Sequence, residues 1–77
     1  MKTYAEDLHW RKFTDIDREY PILELVEVDQ VLLDLGISDE GVWEFSIHSF
    51  GGGKVMTLEL FESMLQSGKE ILQKELE

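Results

Sequence analysis

Two alternating runs on either side of one turn constrain the fold of this chain most strongly. In each run the apolar residues fall at every second position, as in strands that bury one face; they are Val31, Leu33, Leu35, Ile37, Trp43, Phe45 and Ile47. Between the runs, Asp39 and Glu40 suit the centre of a type I turn, and Gly41 suits the left-handed position after it. The pattern predicts a β-hairpin over residues 31–49.

The turn also predicts which residues lie opposite each other. If Ser38 pairs with Val42, the inward face receives only apolar pairs, which are Ile37 with Trp43, Leu35 with Phe45, and Leu33 with Ile47. The outward face then receives Gly36 with Glu44, Asp34 with Ser46, and Leu32 with His48. A slip of one residue would mix the two faces, so the pairing should be unique.

A further strand is predicted upstream, over residues 22–28, with Pro21 at its start, where a missing N–H does least harm. Residues 28–31 would form a tight reversal into the hairpin. Two registers stay open for this strand. We favour the register that points Leu23 and Leu25 inward. The other register points Ile22, Val26 and Val28 inward and turns Glu24 inward with them.

The last element is predicted to be a helix from Leu58 to about Leu76. Thr57 is a suitable N-cap, because its hydroxyl can accept a hydrogen bond from the first turn. One apolar stripe follows the helical repeat and consists of Phe61, Met64, Leu65, Gly68, Ile71, Leu72 and Leu76. Glycine inside such a stripe costs about 1 kcal/mol relative to alanine, so Gly68 indicates a close approach of the sheet.

The first twenty residues allow two structures. A short helix over residues 4–10 is one alternative, and an edge strand over residues 11–15 is the other. In both cases we expect Trp10, Phe13 and Tyr20 to cover one edge or end of the core.

Together these elements predict a single α+β domain. Its antiparallel β-meander has three strands, or four with an N-terminal strand, and one long C-terminal helix packs on the apolar face of the meander. The segments are an N-terminal arm at 1–20, the meander at 21–49, a Gly-rich connection at 50–56 and the helix at 57–77. The predicted core consists of Leu25, Leu33, Leu35, Ile37, Trp43, Phe45, Ile47, Phe61, Met64, Leu65, Ile71 and Leu72.

The charge of the chain is strongly negative and unevenly placed. Seventeen acidic residues against seven basic ones give a net charge of −10 over 77 residues, and residues 19–53 contain eight acids and neither Lys nor Arg. Such a surface argues against direct binding to nucleic acid or anionic lipid, both of which need cationic faces. Without a signal peptide or an apolar run of membrane-spanning length, we expect a cytoplasmic protein and no membrane contact.

Three candidate chemistries are weak on sequence grounds. The Gly51–Lys54 segment lacks the first glycine of a phosphate-binding loop and has Val55 where that loop needs Ser or Thr. The acids at 15–19 lack the Gly and Glu that a calcium loop needs at its sixth and twelfth positions. The chain has no Cys, and His48 beside Asp34 or Glu44 has no nucleophile cluster. We therefore expect no enzymatic activity, cofactor or metal.

The outward sheet face is the predicted binding surface. Apolar residues ringed by acids have the composition of a protein-binding patch. The residues assigned to it are Leu32, Asp34, Asp39, Glu40, Glu44 and His48. An N-terminal segment folded over this face is the alternative.

Two functions follow from this surface. The first is a non-enzymatic interaction module that binds a basic surface of a protein partner. Inhibitors, immunity proteins and antitoxins have a similar size and charge, although no residue motif assigns the chain to such a family. The alternative is an accessory or structural protein that forms homodimers or other homo-oligomers, whose acidity serves only solubility.

Overall fold

The computed structural model describes residues 3–4, 7–48 and 54–76. Their elements are β1 (Thr3–Tyr4), β2 (Leu8–Phe13), β3 (Ile22–Glu27), β4 (Gln30–Ile37), β5 (Trp43–Ile47), β6 (Lys54–Val55) and α1 (Leu58–Glu75). Strands β2, β3, β4 and β5 form an antiparallel sheet in that order, and β1 pairs with β6 in parallel. The predicted α+β class is confirmed, with four strands in the meander. Most of the predicted Gly-rich connection, residues 50–53, lies outside the described residues.

The predicted hairpin is confirmed in its turn and register. Strand β4 pairs with β5 so that Leu35 lies opposite Phe45 and Leu33 opposite Ile47. The Ser38 N–H donates to the Val42 carbonyl at 2.8 Å, and Gly41 has a φ of 85°. The left-handed position that the turn requires is therefore occupied by the residue type that adopts it without strain.

Strand β3 takes the favoured register. Leu23 lies opposite Leu35 and Leu25 lies opposite Leu33, and all four side chains are buried. The register shifts after Leu25, so that Val26 pairs with Val31 and Leu32 has no partner in β3. The extra residue in β4 is a β-bulge, which a pattern of strict alternation does not reveal.

Residues 8–13 form an edge strand, which begins three residues before the predicted 11–15, and the helical alternative over residues 4–10 is wrong. Residues 8–10 belong to β2, which pairs with β3 along its whole length. This pairing satisfies backbone groups of β3 that would otherwise lie on an open edge. Trp10 and Tyr20 pack against the core as expected, whereas Phe13 is exposed.

Helix α1 lies across the inward face and forms the core with β2, β3 and β4. Its N-cap is Thr57, whose hydroxyl accepts a hydrogen bond from the Leu60 N–H at 3.1 Å. Leu72 is buried in one cluster with Leu23, Leu35 and Ile37. No described helix has the combination of length and apolar sequence that a membrane span requires.

Helix α1 approaches the sheet closely at Gly68. A Cβ placed there would lie 2.9 Å from the Trp10 ring and 2.9 Å from Leu35 Cδ2. The Trp10 indole N–H also donates to the Met64 carbonyl at 2.9 Å, which ties β2 to α1. The close approach predicted for Gly68 is confirmed.

The core prediction is wrong for β5. Phe45 is 55% exposed and Ile47 is 72% exposed, and Trp43 is also exposed. A helix is about 10 Å wide, whereas three strand spacings cover about 14 Å. Because α1 packs on Trp10 and Leu35, it covers β2 to β4 and leaves the inward side of β5 bare. Ile71, also assigned to the core, is exposed as well.

The turn between β3 and β4 contains a strained residue. Val28 has a φ of 57° and is exposed, and a β-branched residue in that region is a backbone outlier. We expect Val28→Gly to stabilise the protein by about 1 kcal/mol, because glycine adopts positive φ without strain. Urea denaturation measures the change. The matched variant Asp29→Gly, at a position without positive φ, should give no gain; a Val28→Gly chain no more stable than wild type would contradict the prediction.

Candidate functional site

One of the residues predicted to bind a partner is not at the surface. Leu32 is buried, so it supplies no contact surface, contrary to its predicted place on the outward face. Asp34, Glu44 and Ser46 lie on the outward face through the β4–β5 pairing. Asp39 and Glu40 lie apart from them, at the tip of the hairpin.

Acids on the outward face are largely engaged within the fold. Arg11, Glu24 and Asp34 follow one another across β2, β3 and β4. Arg11 Nη2 lies 2.8 Å from Glu24 Oε1, and His48 Nε2 lies 2.9 Å from Asp34 Oδ2. Such exposed contacts contribute little stability, and the Arg11–Glu24 ion pair reduces the net charge that this face presents to a partner.

Arg18 extends over the same face from the loop before β3. Its guanidinium donates to the Ile37 carbonyl at 3.1 Å, and a Cβ at Gly36 would lie 3.3 Å from its Nη2. Glycine at this position leaves room for the guanidinium. Arg11, through its ion pair with Glu24, and Arg18, beside Asp34 and Glu44, thus place two cations of the N-terminal segment against the acidic stretch of residues 19–53.

A shallow cavity of about 210 Å³ opens beside Arg18. It is lined by Arg18, Ile22, Asp34, Gly36, Glu44, Phe45 and Ser46. Arg18 Nε and Asp34 Oδ1 are buried there without a hydrogen-bond partner among the described residues. Ser46 lies opposite Asp34 and two residues before His48, and no hydrogen bond joins Ser46 to His48 within the described part of the chain. The contact between nucleophile and base that acyl transfer needs is not formed here.

The acidic loop at 15–19 is held by its own backbone. Asp15 Oδ1 accepts a hydrogen bond from the Asp17 N–H at 2.9 Å, and the Asp15 carbonyl accepts one from the Arg18 N–H at 3.1 Å. This is the local turn that aspartate side chains favour. Within residues 7–48 and 54–76, no three His, Asp or Glu side chains are grouped as metal ligands.

A further hydrogen bond joins this loop to the tip of the hairpin. The Glu19 N–H donates to Asp39 Oδ1 at 3.1 Å, which joins segments twenty residues apart in sequence. We call the resulting group of carboxylates the acidic end of the sheet; it consists of Asp15, Asp17, Glu19, Asp39 and Glu40. Ile16 lies within the loop and is 98% exposed, and Val42 beside the tip is also exposed.

Sequence reasoning assigned only Asp39 and Glu40 of this group to a binding surface. The acids at 15–19 carry no prediction beyond the rejected calcium loop, because the sequence does not show that Asp39 lies beside them. The usable signal was topological. Strand β3 begins at the same end of the sheet at which its antiparallel neighbour β4 ends. The loop before β3 and the tip after β4 must therefore be neighbours.

Comparisons with protein-family models, with curated proteins and with solved structures find no match to this chain.

Proposed function

We propose that this chain is a non-enzymatic protein-interaction module that binds a basic surface of a protein partner through the acidic end. One observation carries the proposal. The hydrogen bond from the Glu19 N–H to Asp39 Oδ1 joins the acidic loop at 15–19, which carries the exposed Ile16, to the acidic tip of the hairpin. A module of this kind would mask a cationic surface, as inhibitors and immunity proteins do.

The electrostatics of the acidic end favour a basic partner. Like charges held close together repel each other, and a cationic surface relieves that repulsion while it steers the encounter. Arg18, the one cation of the loop at 15–19, is engaged with the Ile37 carbonyl instead of with these carboxylates.

Ile16 supplies the apolar part of the surface. Acids at the rim of an interface contribute mainly to association rate and specificity, whereas a buried apolar anchor contributes affinity. Asp15 and Asp17 flank Ile16 directly, so a partner that covers this side chain must also approach both carboxylates. The partner should therefore present an apolar recess bordered by Lys or Arg.

Charge reversal at the acidic end tests the proposal. A chain with Asp17→Lys and Glu40→Lys should lose at least about tenfold in affinity for a partner captured by the wild-type chain, because like charges then face each other. Neither side chain accepts a hydrogen bond within the described residues, so the fold should persist. Titration calorimetry with the purified partner, at low and high salt, measures the loss.

The control is a chain with Glu62→Lys and Glu70→Lys, which has the same net charge but is altered on the exposed side of α1. This control chain should bind the partner with the affinity of the wild-type chain. Binding by the wild-type chain should weaken as the salt concentration rises. Equal binding by all three chains would mean that the acids serve solubility alone. Equal loss in both double variants would mean that only net charge matters.

A further inference from the structure

Strand β5 is an open edge of the sheet. It is last in the order β2-β3-β4-β5, so one of its two sides pairs with β4 and the other has no strand among the described residues. Edge strands are commonly protected by Lys, by Pro or by a β-bulge. Strand β5 has neither residue type, and its pairing with β4 shows no register shift.

The backbone of β5 presents a defined set of hydrogen-bonding groups to that edge. The His48 N–H donates to the Leu32 carbonyl, and the Val42 carbonyl accepts from the Ser38 N–H, so these two residues face β4. Successive residues of a strand point their backbone groups to opposite edges. The N–H and C=O groups of Trp43, Phe45 and Ile47 therefore point to the open side.

The side chains of the same three residues are the apolar ones that α1 leaves bare. Phe45 and Ile47 are more than half exposed, although the residues opposite them in β4, Leu35 and Leu33, are buried. One strand thus offers unpaired backbone groups and uncovered apolar side chains at the same place. An exposed apolar edge strand of this kind is a site for strand addition.

We propose that β5 pairs with β5 of a second copy of this chain, antiparallel and with Phe45 opposite Phe45 of the second copy. In this register Trp43 lies opposite Ile47 of the second copy, and Glu44 lies opposite Ser46. All backbone groups that point to the open side then find partners, and every pair on the inward face is apolar. No like charges lie opposite each other.

Other registers fail on charge or on overlap. A shift of two residues in one direction places Glu44 opposite Glu44 of the second copy, and like charges directly opposite are destabilising. The same shift in the other direction leaves Trp43 opposite a residue beyond β5. A shift of one residue places apolar side chains opposite polar ones and brings outward N–H groups against residues whose backbone points away.

Antiparallel pairing also separates the most acidic parts of the two copies. The acidic end lies where β5 begins, so the second copy places its own acidic end at the opposite end of the joined strands. The result is a two-fold symmetric dimer with one eight-stranded sheet, in which both acidic ends stay accessible. The dimer goes beyond the proposed function and does not depend on the partner.

Sedimentation velocity over a range of concentrations tests the dimer directly. Wild-type mass should rise with concentration from 9.0 kDa to twice that value. Higher salt should strengthen the dimer, because it screens the repulsion between two chains of charge −10. This salt dependence is opposite in sign to that of binding to a basic partner. A mass of one chain at every concentration and salt would overturn the proposal.

Matched variants locate the interface. Phe45→Lys should raise the dissociation constant by at least about tenfold, since two like charges then meet at the symmetry axis. Phe13→Lys, at an equally exposed position on the opposite edge strand, makes the same charge change and should leave the dimer intact. Circular dichroism confirms that both variants fold. A dimer dissociated by Phe13→Lys but not by Phe45→Lys would assign the contact to β2.

Single cysteines test the register, because the chain has none of its own. Residues in a hydrogen-bonded antiparallel pair have Cα atoms about 5.5 Å apart, within the range that a disulfide spans. Phe45→Cys should therefore form disulfide-linked dimers on mild oxidation, and Phe13→Cys should not. Equal cross-linking of both would contradict the register. The Asp17→Lys and Glu40→Lys chain should still dimerise, so a failure of the dimer and a failure of the proposed function are distinguishable.

Discussion

Shortening Leu72 to alanine is expected to lower the free energy of unfolding by about 2–5 kcal/mol. Leu72 is 1% exposed and packs with Leu23, Leu35 and Ile37, so its removal leaves a cavity at the centre of the helix–sheet contact. A chain of this length has a total stability of about 4–12 kcal/mol, and the variant should be close to the limit of folding. Urea denaturation followed by circular dichroism measures the change.

The neighbouring position provides the control. Ile71 is 38% exposed, so Ile71→Ala should cost less than about 1 kcal/mol. If Leu72→Ala proves too unstable to measure, Leu72→Val removes fewer atoms and should still cost more than Ile71→Ala. Equal losses at the two positions would show that α1 presents a different face to the sheet.

Replacing Trp10 by alanine is expected to cost about 3 kcal/mol, at the low end of the range for large core aromatics because the ring is only partly buried. The loss includes the packing of the ring on Gly68 and the hydrogen bond to the Met64 carbonyl at 2.9 Å. Trp10→Phe, which keeps a ring but not the indole N–H, should lose less. A loss below about 1 kcal/mol for Trp10→Ala would contradict the contact.

The same contact should determine whether Gly68→Ala raises or lowers the free energy of unfolding. In the wild-type chain Gly68→Ala should be destabilising, because its Cβ would meet the Trp10 ring at 2.9 Å and outweigh the gain in helix propensity. In the Trp10→Ala chain it should stabilise by up to about 1 kcal/mol, since the Leu35 side chain can then move into the space that the indole ring leaves. A double-mutant cycle measures the coupling. Gly68→Ala that stabilises the wild-type chain would exclude the close approach.

Local pattern was sufficient for the hairpin and the helix. Asp39, Glu40 and Gly41 specify a turn, and the turn specifies the register, so both could be derived without knowledge of the rest of the fold. Thr57 likewise specified where the helix begins, and the apolar stripe contains the buried Gly68 and Leu72, although Ile71 and Leu76 of the same stripe are exposed. The alternation of Leu23 and Leu25 favoured one register of β3 correctly, because the other would have turned Glu24 inward.

The sequence could not show in the same way which strands the helix covers. The alternation of Trp43, Phe45 and Ile47 states which side of β5 is apolar, but not whether anything lies on that side. One helix is narrower than four strands, and the contact of Gly68 with Trp10 and Leu35 decides which strand remains uncovered. Strand β2 supplies Trp10 to that contact, whereas the edge strand predicted from the sequence covered residues 11–15 and left Trp10 outside it.

The candidate surfaces differ for the same reason. The excess of acids is a property of the sequence, and it favours a basic partner without any knowledge of the fold. Some of these acids form an acidic end because of a hydrogen bond between Glu19 and Asp39. Leu32, which was predicted to lie on the outward surface, is buried at the β-bulge in β4. Turn chemistry and periodicity act over a few residues, and the sequence by itself therefore determined the strands, the helix and their apolar sides. Packing acts between segments distant in the chain, and only the tertiary structure decided which apolar side stays open and which charges meet.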